Sequence, residues 1–89
     1  MDEGLVAAAR RFPDRRRAVE ALAAADEWFR GICADFADAQ AALQRWRASA
    51  SAARERRCAE YEELVEGFAD EIATHLDAAG PSSSDATQP

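Results

Sequence analysis

From residue 27 onward the large apolar side chains recur in steps of three and four, the spacing of an α-helix with one buried face. The first run, Phe29, Ile32, Phe36, Ala39, Leu43 and Trp46, fits a heptad seam at every position and predicts a helix over about 27–48. The second, Cys58, Tyr61, Val65, Phe68, Ile72 and His75 with support from Leu64 and Leu76, predicts a helix over about 52–78. Continued in sevens through Phe36 and Leu43, the first seam would reach positions 57, 64 and 71, whereas the second runs through 58, 65 and 72. The phase slips by one residue across Ala48-Ser49-Ala50-Ser51-Ala52-Ala53, which carries no large apolar side chain. Such a slip is compatible with one continuous helix, but six small residues at the slip favour a tight connection and an antiparallel hairpin. Folded about a tip near residue 50, paired residue numbers sum to about 101, so that Phe36 faces Val65, Leu43 faces Cys58 and Phe29 faces Ile72. Ser49 or Ser51 is placed to cap the second helix.

Upstream, residues 2–11 suit a short helix with Leu5, Val6 and Ala9 on one side, and Phe12-Pro13 resets the backbone. Proline fits a first helical position, where its missing N–H would have no partner, so a second helix is expected over about 13–24. Its apolar side is Ala18, Val19 and Leu22, and its outer side Arg15, Arg16, Arg17 and Glu20. Asp26 has the short acceptor side chain of an N-cap, and Glu27 suits the positive end of the helix dipole. Gly80-Pro81 signals a stop, and Ser82–Pro89 is a polar tail expected to be disordered. The fold class expected is all-α: short N-terminal helices followed by a long antiparallel hairpin, one helical domain over residues 1–79.

Composition tempers the hydrophobic pattern. Of the 89 residues 48% are hydrophobic, but 23 are Ala, which favours helix while supplying little buried surface. A chain this short has a high surface-to-volume ratio, so association with a second copy or another helical protein is expected. The net charge of −6 disfavours a general affinity for nucleic acid. All 11 basic residues are Arg, a bias that a GC-rich coding sequence produces without selection for chemistry. No apolar stretch approaches the roughly 20 residues that span a bilayer, and the start lacks a basic signal region, so a cytoplasmic protein with no membrane contact is expected. Cys33 and Cys58 form no CxxC pair and lie about 15 Å apart along the axis in this register, too far for a disulfide.

Few constellations suggest chemistry. Five arginines between Arg10 and Arg17 lie at the same end of the hairpin as Asp70, Glu71 and Asp77, which are placed to neutralise them. Arg45, Arg47, Arg54, Arg56 and Arg57 crowd the tip with only Glu55 and Glu60 against them. Arg at a helix start opposes the dipole, so this tip is a candidate contact for an acidic partner or another anion. His75 is the only histidine, and with two distant cysteines it makes neither a metal set nor a nucleophile and base pair. No catalytic residue, cofactor or metal is expected. Gly31 and Gly67 fall at nearly the same level, where close backbone approach or room for Trp28 would explain them. Trp28, just off the seam, and Trp46 can leave an apolar strip that a two-helix hairpin does not cover.

The chain resembles the YdcH-like family of small uncharacterised bacterial helical proteins. The resemblance starts at Phe12-Pro13, continues through Val19, Leu22, Asp26, Phe29 and Ile32, and ends at Asp70-Glu71-Ile72 and Leu76. It covers about residues 12–76 and implies a helical hairpin without catalytic residues. Ala39 stands where a long aliphatic is usual in that family.

The function expected is that of a non-enzymatic interaction module. It would self-associate or dock a partner helix through Phe29, Ile32, Phe36, Leu43, Trp46, Tyr61, Val65, Phe68 and Ile72. The alternatives are a small regulator that contacts an acidic macromolecule or nucleic acid through its arginine clusters, and an enzyme or redox switch that uses Cys33 or Cys58.

Overall fold

The computed structural model describes residues 2–79. The Gly80-Pro81 stop and the Ser82–Pro89 tail lie outside the described residues. Four helices follow one another: α1 (Glu3–Arg11), α2 (Arg16–Ala25), α3 (Glu27–Arg47) and α4 (Arg54–Ala78), with a 3-10 turn at Pro13–Arg15 between the first two. No strand occurs among the described residues.

Each boundary has a local cause. Asp2 is extended and accepts the Gly4 N–H at 2.7 Å, so it caps α1 instead of forming its first residue. Phe12 leaves the helical region, and Pro13 opens a tight 3-10 turn closed by the Arg15 N–H on the Phe12 carbonyl at 2.9 Å. The second α-helix therefore begins at Arg16, three residues later than the proline suggested. Asp26 serves two helices at once. Its N–H donates to the Leu22 carbonyl at 2.8 Å, and its carboxylate accepts from the Trp28 and Phe29 N–H groups at 2.9 and 3.3 Å. The Arg30 guanidinium adds a 2.7 Å hydrogen bond to the Ala23 carbonyl, satisfying another free acceptor at the end of α2.

Between α3 and α4 the chain reverses, which resolves the choice between hairpin and continuous helix in favour of the hairpin. Neither serine caps α4. Ser49 Oγ accepts from the Ser51 N–H and Ser51 Oγ from the Ala53 N–H, both at 3.0 Å, so the two hydroxyls shape the connection, and α4 starts at Arg54 without a side-chain cap.

Cross-hairpin contacts run slightly later on α4 than the expected register. The Phe29 ring lies 6.1 Å from His75, one turn beyond Ile72, and the Arg57 guanidinium sits 5.8 Å from the Trp46 ring. Those numbers sum to 104 and 103 instead of 101. The Cα–Cβ bonds explain the offset, because side chains lean toward the N-terminus of their own helix. On α3 that lean points away from the tip and on α4 toward it, so a meeting pair has its α4 member about two residues further along.

Phe29, Phe36, Ile72, Leu76, Val19 and Cys33 are fully buried, with Ala8, Ala23 and Ala69 filling the spaces between them. Burial of each large side chain stabilises the fold by roughly 1.5–3 kcal/mol. The N-terminal helices pack over α3 and close one side of the hairpin. Gly4 is the key to that contact: a Cβ there would stand 2.8 Å from the Ala34 nitrogen and 2.9 Å from the Cys33 carbonyl carbon. The backbone of α1 thus lies directly against that of α3. A Cβ at Gly31 or Gly67, by contrast, would meet nothing within 4 Å, so neither glycine marks a close approach or makes room for Trp28.

Candidate functional site

The seam expected to dock a partner divides in two. Phe29, Ile32, Phe36, Leu43, Val65 and Ile72 are buried in the chain's own core. The N-terminal helices contribute Ala8, Val19 and Ala23 to the same cluster, so these six hold the molecule together and present no surface in the folded chain. Trp46, Tyr61 and Phe68 are only half-buried. They lie on the side of the hairpin that α1 and α2 leave open.

Two shallow grooves mark that open side. One, about 340 Å³, runs between α3 and α4, with Ala39 and Ala42 as its floor, Asp35, Asp38 and, nearer the tip, Arg45 on its rim, and Tyr61 and Phe68 opposite. The other, about 420 Å³, lies along α4 beside Leu64, Gly67 and Phe68 and is edged by Glu60, Glu63 and Glu71. Phe68 is the ridge between them. Leu64 is 47% exposed and Trp28 71%, the two exposed large apolar side chains among the described residues. Trp28, Ile32, Asp35, Ala39, Ala42 and Trp46 alternate by four and three along α3, so Trp28 continues the same face toward the open end of the hairpin. The sequence singled out Trp28 and Trp46 as an uncovered strip; Leu64 entered only as support for the second seam.

On the closed side a wider groove of about 770 Å³ lies beyond the end of α1, over Leu43 and Val65. It is polar at its edges, where Arg11 meets Glu66 at 3.4 Å and Arg47 meets Glu62 at 3.3 Å.

The two arginine clusters fare differently. In the N-terminal one, Arg11 pairs with Glu66, Arg15 with Asp77 at 2.9 Å and Arg16 with Glu20 at 3.4 Å, so α4 and α2 neutralise much of it. These pairs are exposed and each is worth at most about 1 kcal/mol. At the tip, Arg47 pairs with Glu62, and Arg57 pairs with Glu60 at 3.0 Å while lying over Trp46. Arg45, Arg54 and Arg56 are exposed and have no carboxylate within ion-pair distance among the described residues.

Cys33 lies under α1. Burial, and then the negative charge of Asp2, push its thiol from 9.0 up to about 11, the opposite of what a reactive thiolate needs. Cys58 is half-buried near the tip and is likewise a free thiol. His75 is half-buried against Phe29. Among the described residues no three His, Cys, Asp or Glu side chains gather as a metal-holding group, and no helix is long and apolar enough to cross a membrane. No protein-family model, curated protein or solved structure matches the chain.

Proposed function

We propose that the protein is a non-enzymatic helical interaction module that works through the open face of its hairpin. The observation that carries this reading is Leu64, a leucine left 47% exposed between half-buried Tyr61 and Phe68 on the two-helix hairpin. An apolar strip with a charged rim, Asp35, Asp38, Glu60, Glu63 and Glu71 here, is the surface a partner helix buries. This reading replaces the nine-residue seam with the part of it that reaches the surface, Trp46, Tyr61 and Phe68, joined by Leu64 and Trp28. The Phe12-Pro13 start and the Asp70-Glu71-Ile72 close support kinship with the YdcH-like bacterial hairpins. The free Cys33 and Cys58 suit a reducing cytoplasm.

The test is capture from the native cell by the tagged full chain, beside Leu64→Asp as control. A partner retained by the wild type and lost by the variant is the expected result; identical captures would remove the open face from the function.

A second reading has its own observation, the exposed Arg54 and Arg56 at the start of α4. They support contact with an acidic macromolecule, which predicts retention on a heparin column that weakens with salt. Elution at the lowest salt would dismiss it.

A further inference from the structure

Charge is sorted along the open face. At the tip stand Arg45, Arg54, Arg56 and Arg57, opposed locally by Glu55 and Glu60. Toward the open end stand Asp35, Asp38 and Glu71, which have no ion-pair partner among the described residues. Between the two zones lies the apolar centre, Tyr61, Leu64 and Phe68, with Glu63 along its edge.

The spacing about Leu64 is nearly symmetric. Arg57 lies seven residues before it on α4 and Glu71 seven after. Arg45 adjoins Trp46, which meets Arg57, so it shares the level of that arginine. Arg54 lies ten residues before Leu64, and Trp28 adjoins Phe29, which meets His75 eleven residues after. At 1.5 Å per residue these displacements are each about 10 Å for the inner pair and about 15 Å for the outer.

We infer that the occupant of this face is a second copy of the chain, packed antiparallel about a two-fold axis near Leu64. This deepens the interaction-module reading and rests on it. In that arrangement Leu64 and Phe68 of the two copies pack at the centre. Arg45 and Arg57 of each lie along Glu71 of the other, and Arg54 reaches the exposed indole of Trp28. Arg57 already makes the same kind of contact with Trp46 within one chain. A parallel pair would instead stack tip arginines on tip arginines and Glu71 on Glu71, which is repulsive at both ends. Two-fold symmetry makes each favourable contact occur twice.

Sedimentation equilibrium of the full chain, from micromolar to hundreds of micromolar at low salt, tests the association. The expected result is a dimer that weakens with salt and is abolished by Leu64→Asp. Arg45→Glu and Glu71→Arg should each weaken it by roughly tenfold, and an equimolar mixture of the two should recover most of the loss, since the mixed dimer restores opposite charges at both sites. Circular dichroism and thermal melts identify any variant that has merely unfolded. Orientation is read from a spin label at Ser51→Cys with Cys33→Ala and Cys58→Ala. Antiparallel copies hold the two tips roughly 40 Å apart, and parallel copies bring them together. A strictly monomeric wild type, a mixture that gives no recovery, or a short label-to-label distance would overturn the inference. A monomer whose native captures still depend on Leu64 would overturn the second copy alone and leave the interaction module standing. A monomer with no Leu64-dependent capture would remove both.

Discussion

The two sides of α3 are built on opposite terms. On one, α1 lies so close that Gly4 has no room for a methyl group, and Ala8, Cys33, Val19 and Phe29 are sealed from water. On the other, α3 and α4 leave shallow grooves, a half-exposed leucine and a tryptophan in solvent. The closed side has small residues where contact is tightest, and the open side has its large ones where contact is missing. Apolar mass alone therefore does not mark where two backbones come closest. Close backbone approach gives the N-terminal helices their grip, and the bulky side chains left over belong to whatever binds next.

Substitutions that probe this contrast should separate cleanly in size and sign. Phe29→Ala removes a fully buried ring from beneath the closed side and should cost about 3–5 kcal/mol in urea unfolding, enough to threaten folding of so small a chain. Gly4→Ala pushes a methyl into the α3 backbone, which cannot yield as a flexible side chain would. We expect a loss of about 1–3 kcal/mol by the same measurement.

The third probe is alkaline pH. Cys33 is neutral in both folded and unfolded chains below about pH 9, where its burial contributes in full. Between 9.0 and about 11 the unfolded thiol ionises first, so stability falls as pH rises through that window. Thermal melts at about pH 8 and about pH 10.5 should show a smaller alkaline drop for Cys33→Ala than for the wild type. The smallest effect has the opposite sign. Gly67→Ala, with nothing within 4 Å, should stabilise α4 by about 0.5–1 kcal/mol, and a loss there would mean that a neighbour covers this part of the open side.

Long-range order was legible where the pattern was carried by large side chains. Phe29, Phe36, Val65 and Ile72 repeat at heptad spacing, and they form the centre of the core. Asp26 was legible too, because a short carboxylate before an apolar run has one obvious use and finds it here. The docking of α1 was not. Its contact is made by Gly4 and Ala8, residues with almost no hydropathy signal, and a buried glycine in a sequence looks like any other glycine. Gly31 and Gly67 stand out because they interrupt strong helices, yet their surroundings are empty. Arg30 carries no such signal: its partner is the Ala23 carbonyl, a backbone group that every residue carries. Trp28 could be placed off the seam, but only the packed N-terminal helices decide that it stays exposed.

Asp26 ends α2 and begins α3 with no residue to spare, whereas six residues separate α3 from α4. The two junctions should differ sharply in how they accept changes of chain length. An extra residue in the 48–53 connection only widens a solvent-facing loop. One inserted at position 26 would turn α2 by about 100° relative to α3 and swing Val19 and Ala23 out of the core. The molecule can thus lengthen at its tip, carrying a new recognition loop or a fused peptide there, while the opposite joint is locked to a single count of residues.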